Sequence, residues 1–282
     1  MRRSLATLLA SSLLCGCLPE DTRPPPAEVL VTFAGSNVAV TSTDGWTLRF
    51  DRVFVSIGNL GLDGEDCDEY AGANYFRVLD GRSTEPQKVG LMFGRGTCSL
   101  RLIASSPQDS SLVGVGVTEA DKGLMRVPAT DPWQTNQATS YWLEGSAEKD
   151  AVKKTFSFRF RKERLIHTDC SFDGATTFPL GESEKRTLAL TIKPEVLFLD
   201  GKTAATAQLR FDPFAAADDG DGVLTLEELS KRTLADAGLT DVDPAWKSLG
   251  DLLYLGSFPQ LVRTTTGICS TRERTRMGPG GG

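Results

Sequence analysis

Short runs of alternating apolar and polar residues fill the chain from Val29 to about residue 194, and a period of two admits little besides β-structure. "EVLVTFA", "NVAVTS" and "WTLRFDRVFVSIGNLGL" open the series; "YFRVLD", "QKVGLMF", "TCSLRLIAS", "SLVGVGVT" and "RTLALTIKP" continue it. They are rich in Val, Phe, Thr and Leu, whose side chains suit a pleated, half-buried surface. "ATSYWLEGSAEKDAVKKTFSFRF" reads as a hairpin with a polar turn at residues 147–150, and "DGEDCDEYAGAN" as an acidic turn region. Many short strands with Gly- and Asn-rich turns predict a mainly β chain, a β-sandwich over residues 29–200.

The pattern changes after about Gly201. Asp212 and Pro213 look like an N-cap and a first helical residue, "TLEELSKRTLADAG" reads as helix, and so does "DPAWKSLGDLLYLGSFPQLVRTT" with Asp243 as its cap. Trp246, Leu249, Leu252, Leu253 and Leu255 give that last segment an apolar face. Residues 201–270 are therefore expected to form a C-terminal helical segment packed on the sandwich, and residues 271–282 a disordered tail.

The start of the chain states an address. Arg2 and Arg3 precede a short apolar run, Leu5 to Leu14, too short to span a bilayer and laid out like a secretory signal. "LCGC" then resembles the lipobox of bacterial lipoproteins, which implies removal of residues 1–16 and lipidation of Cys17. Residues 17–28, with Pro19, Pro24, Pro25 and Pro26, read as an extended tether. The implied location is the cell envelope, lipid-anchored, at an outer membrane facing periplasm or exterior. The expected partners are the membrane through the anchor, and another envelope protein or a polysaccharide.

Charge and cysteines agree with export. The 31 Lys and Arg against 37 Asp and Glu leave a net charge of −6, and losing Arg2 and Arg3 deepens it by two. Nucleic acid is excluded as a partner, because such proteins carry a basic stripe. Once Cys15 leaves with the signal and Cys17 takes the lipid, Cys67, Cys98, Cys170 and Cys269 remain. An even number in an exported chain reads as two disulfides with three possible pairings. Cys67–Cys98 with Cys170–Cys269 is favoured because it keeps one bridge within each half. Metal ligation is the rival reading, without a CxxC pair to support it.

The most specific local pattern is "AADDGDGVLTLEEL". A calcium loop of the EF-hand type places oxygens at positions 1, 3, 5, 7, 9 and 12 around the ion, with Gly at 6 for the sharp turn. With Gly222 at 6, Asp219 falls at 3, Asp221 at 5, the Val223 carbonyl at 7, Thr225 at 9 and Glu228 at 12. Position 1 is Ala217, with Asp218 one step late, so either the first ligand is missing or the loop is one residue short and uses Asp218. Weak Ca²⁺ binding follows, with a Kd of about 10⁻⁴ to 10⁻³ M as in extracellular modules. The competing reading is an acidic turn in which Thr225 and Glu228 form a capping box and start a helix without any ion.

Catalytic signatures are missing. There is no GxSxG, HExxH or GxGxxG, and "DGKT" at residues 200–203 lacks the earlier Gly of a phosphate loop. His167 is the only histidine, too few for a His cluster or an independent triad. The chain is expected not to be an enzyme, a hydrolase with paired acids being the lesser alternative.

Two wider resemblances complete the reading. The "GW…FDRVFVSIGNL" opening, the "YWLEGSA" hairpin and the late "DGDGVLTLEEL" segment resemble a group of uncharacterised bacterial lipoproteins with a β-rich body and an EF-hand-like loop. "FDRVFVSIGNLGL" is more faintly similar to periplasmic copper-binding β-sandwich proteins associated with methanobactin. That second likeness implies transition-metal binding as an alternative and carries over no ligand residue.

Overall fold

The computed structural model describes residues 23–36, 39–201 and 207–273. Arg2, Arg3, the apolar run and Cys17 lie outside the described residues. The chain is mainly β, and among the described residues fifteen strands are joined in one hydrogen-bonded sheet. In order they are β1 Ala27–Ala34, β2 Ala39–Thr41, β3 Thr47–Asp63, β4 Cys67–Ala71, β5 Ala73–Asp80, β6 Gln87–Ala104, β7 Leu112–Val113 and β8 Tyr141–Lys149. They continue as β9 Val152–Phe160, β10 Leu165–Thr168, β11 Phe178–Leu180, β12 Lys185–Ile192, β13 Val223–Leu224, β14 Val262–Thr264 and β15 Ser270–Glu273. The main path runs β13-β9-β8-β3-β6-β1-β12-β14.

Two long strands make the sheet curl. β6 pairs with β1 over its first half, then with β4 and β11, and finally with β3 and β10. β3 passes from β2 and β8 to β5 and β6, with register shifts at Phe50/Arg52 and near Asn59. Bulges of this kind bend a strand and sharpen its twist, so one strand serves two directions of pairing. The alternation in β1, buried at Ala27, Val29, Val31 and Phe33, turns one face inward. Inside lies the main hydrophobic core, in which Phe50, Phe156, Phe158, Phe160, Phe198, Phe211 and Phe214 are buried.

Several boundaries differ from the sequence reading. "QKVGLMF" and "TCSLRLIAS" are halves of one strand, β6, because "GRG" between them bends without breaking the ladder. Cys67–Ala71, expected as turn, is strand β4 on β6, while of "SLVGVGVT" only Leu112–Val113 is strand. The β8–β9 hairpin turns at Asp150 and Ala151, with φ of 48° and 64°, the last of the residues expected and the one after it. Two adjacent left-handed residues match the primed turns whose twist fits a hairpin.

The region after Gly201 is less helical than its composition suggests. Helix α2 spans Asp212–Ala215, one turn in which Asp212 is the first helical residue and not the cap. Helix α3 stops at Lys231, spanning Leu226–Lys231, and Thr233 instead bridges to Ser248. Asp243 accepts from Ala245 N at 2.9 Å in a local turn, and helix α4, Leu249–Asp251, is capped by Ser248. It continues as a π segment, Leu252–Ser257, and a 3-10 turn, Phe258–Gln260. β13, β14 and β15 also come from this region and join the main sheet, so it is part of the body. Thr271 to Glu273, expected in the tail, lie in β15.

A helix the composition did not announce covers the outer face. Helix α1, Glu119–Met125, starts with a capping box, Thr118 and Asp121. It seals a small second core of Phe54, Val78, Val117, Met125 and Trp142. Arg52 and Arg159 lie on the Trp142 ring at 4.1 and 4.0 Å. Both disulfides form between Cys67 and Cys98 and between Cys170 and Cys269. Among the described residues no helix is long and apolar enough to cross a membrane. The end of the expected tether lies on the body: Arg23 sits 4.3 Å over the Tyr70 ring, and Tyr70 donates to Pro24 O at 3.0 Å.

Candidate metal centre

The acidic loop is clamped at both ends before any question of an ion arises. Upstream, Asp44 Oδ2 accepts from the N–H groups of Phe211 and Asp212 at 2.8 and 2.7 Å, and Trp46 Nε1 donates to Asp212 Oδ1 at 2.7 Å. These bonds settle the exposed N-terminal donors of α2, which lacks a cap of its own. Downstream, β13 runs parallel to β9, with Val223 opposite Thr155 and Leu224 opposite Phe156. Thr155 N donates to Gly222 O at 2.9 Å, and Leu224 is fully buried in the core. The apolar residue inside an otherwise acidic run is therefore the peg that docks the loop.

Four acids converge between these clamps. One ligand oxygen from each of Asp218, Asp219, Asp221 and Glu228 lies within 4.8 Å of the others. Asp218 Oδ1 accepts from Gly222 N at 2.8 Å, bracing the turn from its first acid to its glycine. Gly222 has φ of 81° and Gly220 111°, conformations that side-chain-bearing residues seldom take. Ala217, by contrast, packs against the hydrophobic core. Asp218, and not Ala217, is the residue that stands with the other three acids.

The carboxylates already have partners. Lys154 on β9 sits on Asp218 Oδ2, an ion pair with the aspartate side chain 2% exposed. The hydrogen bond from that ammonium, and its charge, hold the Asp218 carboxyl below the usual carboxylate range. Glu228 accepts at Oε1 from Asp219 N at 3.0 Å, and at Oε2 from Thr225 N and Oγ1, both at 2.7 Å. Thr225 Oγ1 in turn accepts from Glu228 N at 3.2 Å, completing a capping box for α3. Val223 N donates to Asp221 Oδ1 at 2.7 Å. The capping box and the acidic cluster coexist: Glu228 serves both, whereas the Thr225 hydroxyl faces the cap.

Other candidate residues lie apart. His167 is fully buried, with its Nε2 3.4 Å from Tyr141 Oη, and among the described residues it joins no ligand cluster. Cys170 beside it is taken up by its disulfide. In the "DGKT" run, Asp200 accepts from Gln208 N at 2.8 Å and pairs with Arg210 at 3.3 Å, while Lys202 and Thr203 lie outside the described residues. Lys154 is the residue sequence reasoning missed. Its only sequence signal is a lysine on a strand, and its role depends on the parallel pairing of β13 with β9.

Compared with protein-family models, curated proteins and solved structures, the chain matches none. Its functional reading rests on its own geometry.

Proposed function

We propose that this chain is a lipid-anchored protein of the bacterial cell envelope with a binding or scaffolding role. In this reading the body is a β-sandwich, and the segment after Gly201 is a degenerate EF-hand-like unit that binds Ca²⁺ weakly. The observation that carries the calcium part is the brace from Asp218 Oδ1 to Gly222 N beside four converging carboxylates. Affinity is low because an incoming ion must displace the Lys154 ammonium and compete with the capping bonds of Glu228. A weak constant still matters where calcium is plentiful.

Calcium at about ten times its Kd is expected to stabilise the folded state by roughly 1.4 kcal/mol, a melting rise of about 2–4 °C in a chain of this size. Glu228→Gln removes most of that rise. Ala217→Asp leaves binding unchanged, because Asp218 already holds the first place. If millimolar calcium moves neither the wild type nor Ala217→Asp in a thermal melt, the segment is an acidic turn with a capped helix. Anchoring has its own test, since Cys17→Ser should move the protein from the membrane fraction to the soluble one. Continued pelleting of Cys17→Ser with membranes refutes the lipid anchor.

A further inference from the structure

One buried base stands outside the acidic loop altogether. His167, the third residue of β10, is 0% exposed, opposite Leu102 of β6 and Thr271 of β15. Its Nε2 meets Tyr141 Oη at 3.4 Å, and its Nδ1 has no hydrogen-bond partner among the described residues. Around this contact the packing is aromatic: Tyr141 is buried edge-on against Phe258 at 4.7 Å, and Phe258 stacks on Phe160 at 4.5 Å. One imidazole nitrogen is thus loosely satisfied and the other is not. A second ring proton would add an N–H with no acceptor and a charge with no counter-ion.

The strands that carry this imidazole make few pairs with the rest of the sheet. β15 pairs only with β10, and β10 rests on β6 through three residue pairs, Leu165 with Ala104, Ile166 with Ile103 and His167 with Leu102. Cys170 follows β10 by two residues, Cys269 immediately precedes β15, and the two are bonded. β10 and β15 are therefore clipped covalently to each other but held to the sheet by a short ladder. Sheet ladders of few pairs open more readily than the body they rest on.

The geometry points to an acid latch: protonation of His167 unseats the clipped pair β10–β15 from β6 while the rest of the sheet stays folded. Charged neighbours do not compensate the imidazolium. Arg101 and Arg272 adjoin the opposed residues and point to the other face of the sheet, and Arg101 is paired with Asp63 at 3.0 Å. Glu273 is paired with Lys162 at 2.7 Å. From β8 the facing titratable group is the Tyr141 hydroxyl, and Tyr254 on the covering helix donates to Arg161 O at 2.9 Å. Burial alone lowers the His167 pKa from 6.5 to about 4.

The direction follows from proton counting. The seated imidazole binds fewer protons than the released one between pH 6.5 and about 4, so seating weakens as pH falls through that window and levels off below it. With those two values the opening equilibrium rises roughly 60-fold from pH 7 to pH 4.5.

Hydrogen exchange on the folded chain with both bridges intact tests this, after correction for intrinsic rates. Those amides of residues 102–104 and 165–167 that bond across the β10–β6 ladder should gain that roughly 60-fold between pH 7 and 4.5 relative to Leu143 and Phe158 in β8 and β9. His167→Gln keeps a hydrogen-bonding group for Tyr141 and cannot titrate, so its exchange ratio should stay flat. An equal rise in both sets of amides, no rise, or the same rise in His167→Gln overturns the latch. If His167→Gln does not fold, the wild-type ratio decides alone.

Discussion

Replacing Cys170 and Cys269 together by Ala should cost about 4.7 kcal/mol of folding stability, the loop-closure entropy of a bridge spanning close to 100 residues. The sequence separation is 99, against 31 for Cys67–Cys98, whose removal should cost about 3.7 kcal/mol by the same relation. The difference has a structural side too. Cys98 and Cys67 join strands that are already neighbours, β6 and β4. Cys170 and Cys269 fasten β15 to β10, and β15 pairs with no other strand among the described residues. Urea titration of the two double variants measures both numbers. A Cys170/Cys269 variant no less stable than the Cys67/Cys98 variant would show that the longer loop is held by packing and not by its bridge.

Phe198→Ala should cost about 3–5 kcal/mol, as large aromatic truncations in a close-packed core do. Phe198 is fully buried and meets five rings, those of Phe50, Phe156, Phe158, Phe211 and Phe214, at centroid distances from 5.1 to 6.4 Å. Three of those rings belong to the sheet and two to the start of the acidic segment, so the cavity would open at the seam between them. The expected drop in Tm is about 10 °C. Val152→Ala at the hairpin tip, 49% exposed, should change stability by less than about 0.5 kcal/mol. Because Phe211 precedes α2 and Phe214 lies within it, Phe198→Ala should also diminish any calcium-dependent rise in Tm. A calcium response surviving the cavity in full would mean that the loop is positioned by Asp44, Trp46 and β9 alone.

The mainly β character was legible in the alternation of "EVLVTFA" and "KTFSFRF", because burial of one face imposes a period of two wherever a strand covers a core. The capping box at Thr225 and Glu228, the competing reading of that loop, is formed, since it closes within one turn and needs no distant partner. The same kind of signal was present and overlooked at Thr118 and Asp121. Helical boundaries after Gly201 were misread: Asp243–Pro244 is as good a start signal as Ser248, and only the pairing of Thr233 with Ser248 and of Leu234 N with Lys247 O selects the second.

By itself the sequence determined what adjacent residues decide: the strand periodicity, the hairpin of β8 and β9, the capping boxes of α1 and α3, and a tight acidic turn around Gly222. The tertiary structure decided what depends on residues far apart. It set which strands β3 and β6 would share along their length, and it brought Lys154 of β9 onto Asp218, 64 residues later. It also enclosed His167 between β6 and β15 with a single hydroxyl for company. Hydrogen bonds within a turn are written by spacing. Desolvation and the position of a distant charge are set only when the whole sheet has closed around them.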